Sequence, residues 1–515
     1  MIESDARTLV LRARLPAALL LCGLFGACMT LGPDYERPKV QVPAAWQPSA
    51  PASAASATAA AASGTAPGAV GIEPPVGAAE LVNTAWWGAF GDPQLDALIR
   101  IALDENKDLR IAAYRIEQFD AQLQVTKSAG GPQVGVAAAR TRDALSQNRL
   151  VPLAAGVQPT GNNYEIAGSI SWEMDFWGRL RRADESALAE LLATEESRRA
   201  LVLTLVSDVA STYMRLLGAD RDLEILRRGV ASRQETLQLL TKKYEGGGVP
   251  ELPVLKARAD VEDALADIPA KEAEIGLLEH ALSRLLGRDP GPIGRGKAID
   301  ALKLPAVPGG LPADLLAQRP DVRQAEQDLI AANARIGVAK AQYLPRIGLT
   351  AQSGFASADL STLTQLSSNF GSFGVTLLGP IFTSGRIAGQ VREAEAIQHQ
   401  KAVAYLLSVQ SALRDVEDAL VTHRKTYQRS AVRTRQVSAL LEHRQSALRR
   451  YEGGRSSYID VLEAERSLFA AELQQNETRR DQYIALINVY KAMGGGWSVS
   501  DYIPPTTSLG MRADP

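Results

Sequence analysis

Tyr244-Glu245-Gly246-Gly247 and Tyr451-Glu452-Gly453-Gly454 are two copies of one short stretch, each set between long runs of helix-forming residues. Glycine pairs of this kind end helices, because glycine takes backbone angles that other residues resist. The two copies therefore read as the tips of two helical hairpins. They stand 451 − 244 = 207 residues apart, and the same offset carries Gly178-Arg179 onto Gly385-Arg386, Asp208-Val209 onto Asp415-Val416, Val254-Leu255 onto Val461-Leu462 and Gly287 onto Gly494. A gapless register of this length is the signature of an internal duplication.

Working back from the tips, a second offset emerges. A shift of 323 − 110 = 213 superposes Asp108 on Asp321, Arg110 on Arg323, Ala121 on Ala334 and Pro132 on Pro345. The duplication thus begins before the tips' own helices, and the second copy is shorter by six residues (213 − 207) in between. That interval holds strands. Ile166, Gly168, Ile170, Trp172, Met174 and Phe176 alternate with Ala167, Ser169, Ser171, Glu173 and Asp175, a period of two. Ile347, Leu349, Ala351 and Phe355 form another stripe, Phe373, Val375, Leu377 and Ile381 a third, and Val134, Val136 and Ala138 a weaker fourth. Each copy has two strands, joined across polar loops near Thr141 to Asn163 and Ser357 to Asn369.

Four such strands fit a soluble half-buried sheet or a membrane barrel with its apolar stripe against lipid. The helices run away from the strand ends, so the strands have no helix of their own to pack on. Four strands cannot close a barrel with an aqueous lumen, whereas three chains giving twelve can. The strand count points to a trimer without showing one.

Ahead of the strands, Asp92-Pro93 starts a helix with Leu95, Leu98 and Ile99 on one face, and a second helix spans about Asn106 to Ser128. Beyond them, Val202, Val206, Val209, Tyr213 and Leu216 recur at spacings of four and three, as do Ala402, Leu406, Val409, Leu413, Val416 and Leu420. This is a coiled-coil seam. From Gly178 to the first tip is a rise of about 100 Å at about 1.5 Å per residue. Return helices span about Val254 to Leu286 and Tyr458 to Met493; Pro269 sits inside the first and should kink it, where the second has Asn476.

Composition agrees. Aromatic residues make up only 5%, the chain is rich in Ala, Leu, Glu, Gln and Arg, and the formal charge of −2 is balanced, with no basic block to engage nucleic acid. Both cysteines, Cys22 and Cys28, lie in the N-terminal leader, so no intrachain disulfide framework is expected. Arg7, Arg12 and Arg14 precede the apolar run Leu15 to Ala27, which is too short for a spanning helix and reads as a secretory signal. Phe25-Gly26-Ala27-Cys28 resembles a lipoprotein processing box, with Phe where Leu is usual, and Met29 fits outer-membrane sorting in the lipoproteins it resembles. The Ala/Ser/Pro/Gly stretch from Ala44 to Ala79 is too poor in apolar residues to fold.

Taken in order, several segments give a specific likeness: Gly32-Pro33-Asp34-Tyr35-Glu36-Arg37-Pro38, Trp86-Trp87 with Phe90 and Asp92-Pro93, Trp172-Glu173 with Asp175-Phe176-Trp177-Gly178-Arg179, Arg319-Pro320-Asp321-Val322-Arg323, Leu344-Pro345-Arg346-Ile347, and Gly379-Pro380-Ile381-Phe382 with Gly385-Arg386. Together they resemble TolC-type outer membrane factors, in the lipoprotein branch that serves multidrug efflux pumps of the resistance-nodulation-division type. The resemblance implies an α+β membrane protein: a homotrimer with a twelve-stranded β-barrel, four strands per chain, continuous with a long periplasmic coiled-coil tunnel. It implies a mixed equatorial region over Trp86 to Leu103 and Gly291 to Leu316. It also implies a palmitate-type lipid on Cys28, a periplasmic adaptor protein, an inner-membrane pump, and no cofactor.

On this reading residues 1–27 are the lipoprotein signal peptide, 28–43 the lipidated segment and 44–80 a disordered linker. The first structural repeat covers 81–287, the equatorial connector 288–318, the second repeat 319–497 and the tail 498–515.

No catalytic constellation appears. Glu173 with Asp175, and Glu463 with Glu465, are close carboxylates without a companion base, nucleophile or metal-ligand set. Gly246-Gly247-Gly248 lacks the Lys-Ser/Thr of a phosphate-binding loop. The tips are the functional candidates. Ile459 and Glu463 are four apart and share a helix face. The resemblance makes them a periplasmic gate, an apolar constriction beside a ring of acidic residues, here Glu in place of the usual Asp. The equivalent positions in the first copy are Leu252 and Lys256, so the acidic ring comes from the second hairpin only. Gly247, Gly248, Gly453, Gly454 and Arg455 are the expected adaptor docking edge. Ducts for heavy-metal efflux or type I protein secretion, and a lipid-anchored coiled-coil scaffold, are the competing readings.

Overall fold

A computed structural model of the chain describes residues 30–39, 85–146, 158–305, 307 and 319–495. The signal, Cys28, the linker, much of the 288–318 connector's end and the tail lie outside the described residues. In chain order the elements are helices α1 (Pro93–Glu105) and α2 (Lys107–Ser128), strands β1 (Gln133–Ala144) and β2 (Thr160–Met174), and helices α3 (Arg179–Glu245) and α4 (Glu251–Leu285). The second copy follows as α5 (Pro320–Ala341), β3 (Arg346–Ser357), β4 (Asn369–Leu378), α6 (Arg386–Glu452) and α7 (Tyr458–Ala492).

The two offsets set the element ends. Adding 213 to the bounds of α2 and β1 gives those of α5 and β3, and adding 207 to α3 and α4 gives those of α6 and α7. The left-handed glycines follow the same rule: Gly178, Gly247 and Gly287 pair with Gly385, Gly454 and Gly494.

Two compact units share the chain. One contains the sheet, with strand order β1-β2-β3-β4, all antiparallel. Its register brings the four apolar stripes to one face. Val134 stands opposite Ile170, Trp172 opposite Leu349, and Leu349 opposite Val375. This face is uncovered: Val136 is 80% exposed and Phe373 74%. The opposite face carries Ser169, Gln352 and Ser372 in the same row.

The strands differ from expectation at their ends. β2 stops at Met174, short of Phe176, and β4 at Leu378, short of Ile381. Pro380 explains the latter, since it has no N–H for a ladder. At their far ends β1 and β2 run on to Ala144 and from Thr160, so the loop between them is shorter than expected.

Within the same unit, residues 30–39 are docked. Leu31 N–H donates to the Trp177 carbonyl (3.2 Å), Asn333 Nδ2 to the Pro33 carbonyl (2.8 Å) and the Tyr35 hydroxyl to Glu326 (3.1 Å). Asp34 pairs with Arg182, whose side chain is only 6% exposed, and Arg37 with Glu326. Gly32, at φ +98°, lies so close to Gly337 that a Cβ on Gly32 would meet its Cα at 2.6 Å. The Gly-Pro-Asp-Tyr-Glu-Arg-Pro motif, read above only as a likeness, is thus a strap with its own packing.

The second unit holds the hairpins and the largest core. Trp86, Phe90, Leu95, Ile99, Val206, Val209, Tyr213, Leu282 and Leu286 are buried together. Trp86 stacks on Tyr490 at 5.2 Å, and Asp92 does two jobs at once: it caps α1 through Gln94 N–H (3.0 Å) and accepts from the Tyr213 hydroxyl (3.0 Å). The coiled-coil seam holds in the first copy, where Val206, Val209, Tyr213 and Leu216 are fully buried. In the second, Val409 and Val416 are buried while Leu406, Leu413 and Leu420 are half-covered. Asn106 caps α2 rather than opening it, its Oδ1 accepting from Leu109 N–H (3.0 Å).

Candidate functional site

Both tips end in the same hydrogen-bond pattern. Gly248 N–H donates to the Lys243 carbonyl (2.7 Å) and Gly247 N–H to Tyr244 (2.9 Å); Arg455 N–H donates to Arg450 (2.8 Å) and Gly454 N–H to Tyr451 (2.8 Å). These are Schellman stops, with Gly247 (φ +73°) and Gly454 (φ +68°) as the left-handed residue. The Gly246-Gly247-Gly248 run is therefore a helix stop, not a phosphate cradle. Gly248 and Gly453 are not left-handed. All five docking-edge residues, Arg455 included, are exposed.

Behind the stops, Leu240, Val254, Ala257, Ala447, Tyr458, Val461, Leu462 and Ala464 close into a buried cluster drawn from α3, α4, α6 and α7. Polar ties cross it. The Tyr458 hydroxyl meets Thr236 Oγ1 at 3.0 Å, and burial pushes that phenol's pKa up, so it stays a neutral hydrogen-bonding group. Lys243 donates to the Tyr451 hydroxyl and lies 4.6 Å from that ring's centroid, while Tyr451 meets Tyr458 edge-on at 4.8 Å. The two hairpins are thus tied together at their tips by a cation and two tyrosines. The paired Tyr residues were legible as repeats; their link to Lys243 was not.

Ser457 caps α7, accepting from Ile459 N–H (3.3 Å), and so sets the start of the helix whose first two turns carry the gate candidates. Ile459 is half-buried; Glu463 is exposed. The sequence-paired carboxylates separate in role. Glu465 pairs with Arg444 (3.1 Å), Glu173 with Arg179 (2.8 Å) and Asp175 with Arg181 (3.3 Å). Leu252, 69% exposed, and Lys256 occupy the matching turn of α4. The arrangement sets an apolar side chain and an exposed carboxylate one turn apart on α7.

Comparison with known proteins fits this geometry. The family model "Outer membrane efflux protein" matches residues 98–288 and 311–495. The chain belongs to the outer membrane efflux protein family. The matched halves are the two copies themselves, since 98 + 213 = 311 and 288 + 207 = 495.

Among family members, the solvent efflux pump outer membrane protein SrpC of Pseudomonas putida is 33% identical over 94% of this chain and 98% of its own. The cation efflux system protein CusC of Escherichia coli O6:H1 is 32% identical over 91% and 96%, and the probable outer membrane lipoprotein SilC of Salmonella typhimurium 31% over 92% and 97%. Crystal structures of CusC match with a TM-score of 0.78 at 30% identity, covering 90% of this chain and all of that one. The open-state MtrE outer membrane channel of Neisseria gonorrhoeae matches at 0.77 and 29%, covering 91% and 99%. The family places the chain in the outer membrane as an efflux duct, and the uncovered apolar face of the sheet is the surface that needs lipid. A coiled-coil scaffold has no use for that face, and that reading falls.

Proposed function

We propose that three copies of the chain form the passive exit duct of a tripartite efflux pump, carrying small toxic compounds from the periplasm to the outside without catalysis. The sheet carries this reading. β1 and β4 are left as unpaired edges, four strands are too few to enclose a lumen, and an exposed strand edge invites pairing with another chain. Twelve strands from three copies remove every edge. A periplasmic adaptor docks on the exposed tip residues Gly247, Gly248, Gly453, Gly454 and Arg455, and an inner-membrane pump delivers the cargo. A lipid on Cys28 tethers the docked strap to the outer membrane. Relatives named for solvent and for cation efflux are similarly close, so cargo choice sits with the pump.

Ile459 and Glu463 form the gate. Threefold symmetry makes one Ile and one Glu into a ring of each, the first closing by dewetting and the second attracting cations. Adaptor docking shifts the tips toward the open state. Replacing both residues with Ala should raise single-channel conductance in planar bilayers. A double variant with unchanged, closed-like conductance would reject this gate.

A further inference from the structure

The charged side chains of the four strands are Arg140, Arg142 and Asp143 in β1, Glu165 and Glu173 in β2, and Arg346 in β3; β4 has none. Successive side chains on a strand point to opposite faces, and the pairing of β1 with β2 runs unbroken from Gln133–Ser171 to Ala144–Thr160. Each charge can therefore be assigned to a face. Asp143, Glu165, Glu173 and Arg346 lie on the polar face with Ser169 and Gln352. Arg140 and Arg142 lie on the apolar face, in line with Val134, Val136 and Ala138. That face thus carries two neighbouring cations and no carboxylate.

Their height on the sheet is informative. α2 leads into β1 at Gln133 and β2 leads into α3 after Met174, so Arg140 and Arg142 stand at the end remote from both helices. Arg140 is paired with Tyr164, its guanidinium 5.5 Å from that ring's centroid, and Trp172 lies toward the other end of β2 on the same face. The eight residues between the two aromatics, at about 3.4 Å each and a tilt of about 40°, span about 21 Å of height, close to the roughly 25 Å apolar band that aromatic girdles flank in outer-membrane barrels. With the helices on the periplasmic side, the arginines reach the headgroups of the outer leaflet.

The surroundings suit a phosphorylated sugar. Arg142 follows Arg140 by two residues, about 7 Å along the same face. Guanidinium forks bind phosphate oxygens in pairs, and the Tyr164 ring supports the first of them. Asn162, opposite Arg142, and Thr160, opposite Ala144, are exposed on the same face and bring an amide and a hydroxyl beside the cations. In a closed barrel the open edge of β1 meets β4 of a neighbouring copy. Because Asn369–Leu378 holds no ionisable side chain, that strand brings no carboxylate to the arginines in any register.

We propose that Arg140, Arg142, Asn162 and Thr160 form, around Tyr164, a binding site for the phosphorylated glycolipid headgroup of the outer leaflet, one on each chain. The site rests on the three-copy barrel proposed above.

Titration of the detergent-solubilised full-length protein with bisphosphorylated lipid A, followed by native mass spectrometry, tests it. Wild type should take up to one lipid per chain. Arg140→Gln with Arg142→Gln should bind about thirtyfold more weakly, the worth of two cations at an anionic lipid surface. Arg346→Gln, which removes a cation from the other face at the opposite end, should bind like wild type. Arg140→Lys with Arg142→Lys keeps the charge without the fork; it should fall between wild type and the glutamine pair, and it keeps the test readable if that pair assembles poorly. Dephosphorylated lipid A and phosphatidylglycerol, one lacking the phosphates and the other the sugar, should both bind wild type more weakly than lipid A. Equal binding by wild type and both double variants, an equal loss in Arg346→Gln, or phosphatidylglycerol as tight as lipid A overturns the site. The same spectra give the oligomer mass: a trimer indifferent to its arginines rejects only this site, and a monomeric wild type rejects the three-copy barrel with it.

Discussion

Asn106 and Arg319 stand 213 residues apart and hold equivalent helix ends. Asn106 Nδ2 donates to the Leu285 carbonyl at 2.8 Å, and Arg319 Nη1 to the Ala492 carbonyl at 3.0 Å; Leu285 and Ala492 are themselves 207 apart. The duplication therefore reaches down to single hydrogen bonds, even where the residue type has changed. Arg319 adds bonds to Asp321 (2.7 Å) and Asp415 (3.3 Å), and its side chain is only 10% exposed. Removing one partner of a buried ionic group costs about 3–5 kcal/mol, against about 1 kcal/mol for a lost cap. Arg319→Ala should lower the unfolding midpoint of the detergent-solubilised protein far more than Asn106→Ala. Equal shifts would mean that the ion pairs add nothing to the shared contact.

Much of this was legible because the duplication runs in two gapless blocks. Offsets of 207 and 213 found the helix lengths, both tips and the four strands, and period-two stripes gave the face that the register confirms. The misses have a common cause. Asn106 with Leu285, Thr236 with Tyr458, and Pro33 with Asn333 join positions more than 170 residues apart, and such contacts leave no periodic trace. The tyrosines at 244 and 451 were visible as repeats, but only packing shows that one meets Lys243 while the other is 44% exposed.

The tip glycines separate two roles. Gly454 needs its left-handed backbone, so Gly454→Ala carries a strain of about 1–2 kcal/mol at the stop. Gly453 has no such need. If it serves adaptor docking, Gly453→Ala should leave thermal stability near wild type yet lower efflux, read as drug susceptibility of a strain dependent on this duct. Full efflux with Gly453→Ala would remove that residue from the docking edge.

The two faces of β4 should differ sharply in tolerance. Phe373 lies on the uncovered apolar face and Ser372 on the other. An arginine at the bilayer midplane costs about 2–4 kcal/mol on a lipid-facing position. Phe373→Arg should deplete the protein from outer-membrane fractions, while Ser372→Arg should assemble normally. The reverse pattern would turn the barrel inside out.

The strap depends on one close approach. A methyl at Gly32 would drive into the Gly337 backbone, and φ +98° already disfavours any other residue there. Gly32→Ala should release residues 30–39, detected as faster limited proteolysis on the N-terminal side of Arg37. Asp34→Asn removes one of the two ionic partners of Arg182, leaving Glu185, and keeps the backbone contacts, so its effect should be smaller.

The charge balance of the proposed gate follows from the unequal hairpins. Glu463 and Lys256 are repeat equivalents on the second turns of α7 and α4, both exposed, and each directly precedes a buried alanine of the tip cluster, Ala464 or Ala257. With both hairpins lining the bore at that level, a positive group sits beside each negative one, and the ring is nearer neutral than an acidic ring alone. Glu463→Gln should lower cation preference, measured as a shift in reversal potential across a salt gradient. Lys256→Gln should raise it, because it leaves the three carboxylates without their counter-charges. A reversal potential that responds to Glu463 but not to Lys256 would place Lys256 away from the bore and leave the gate to the second hairpin alone.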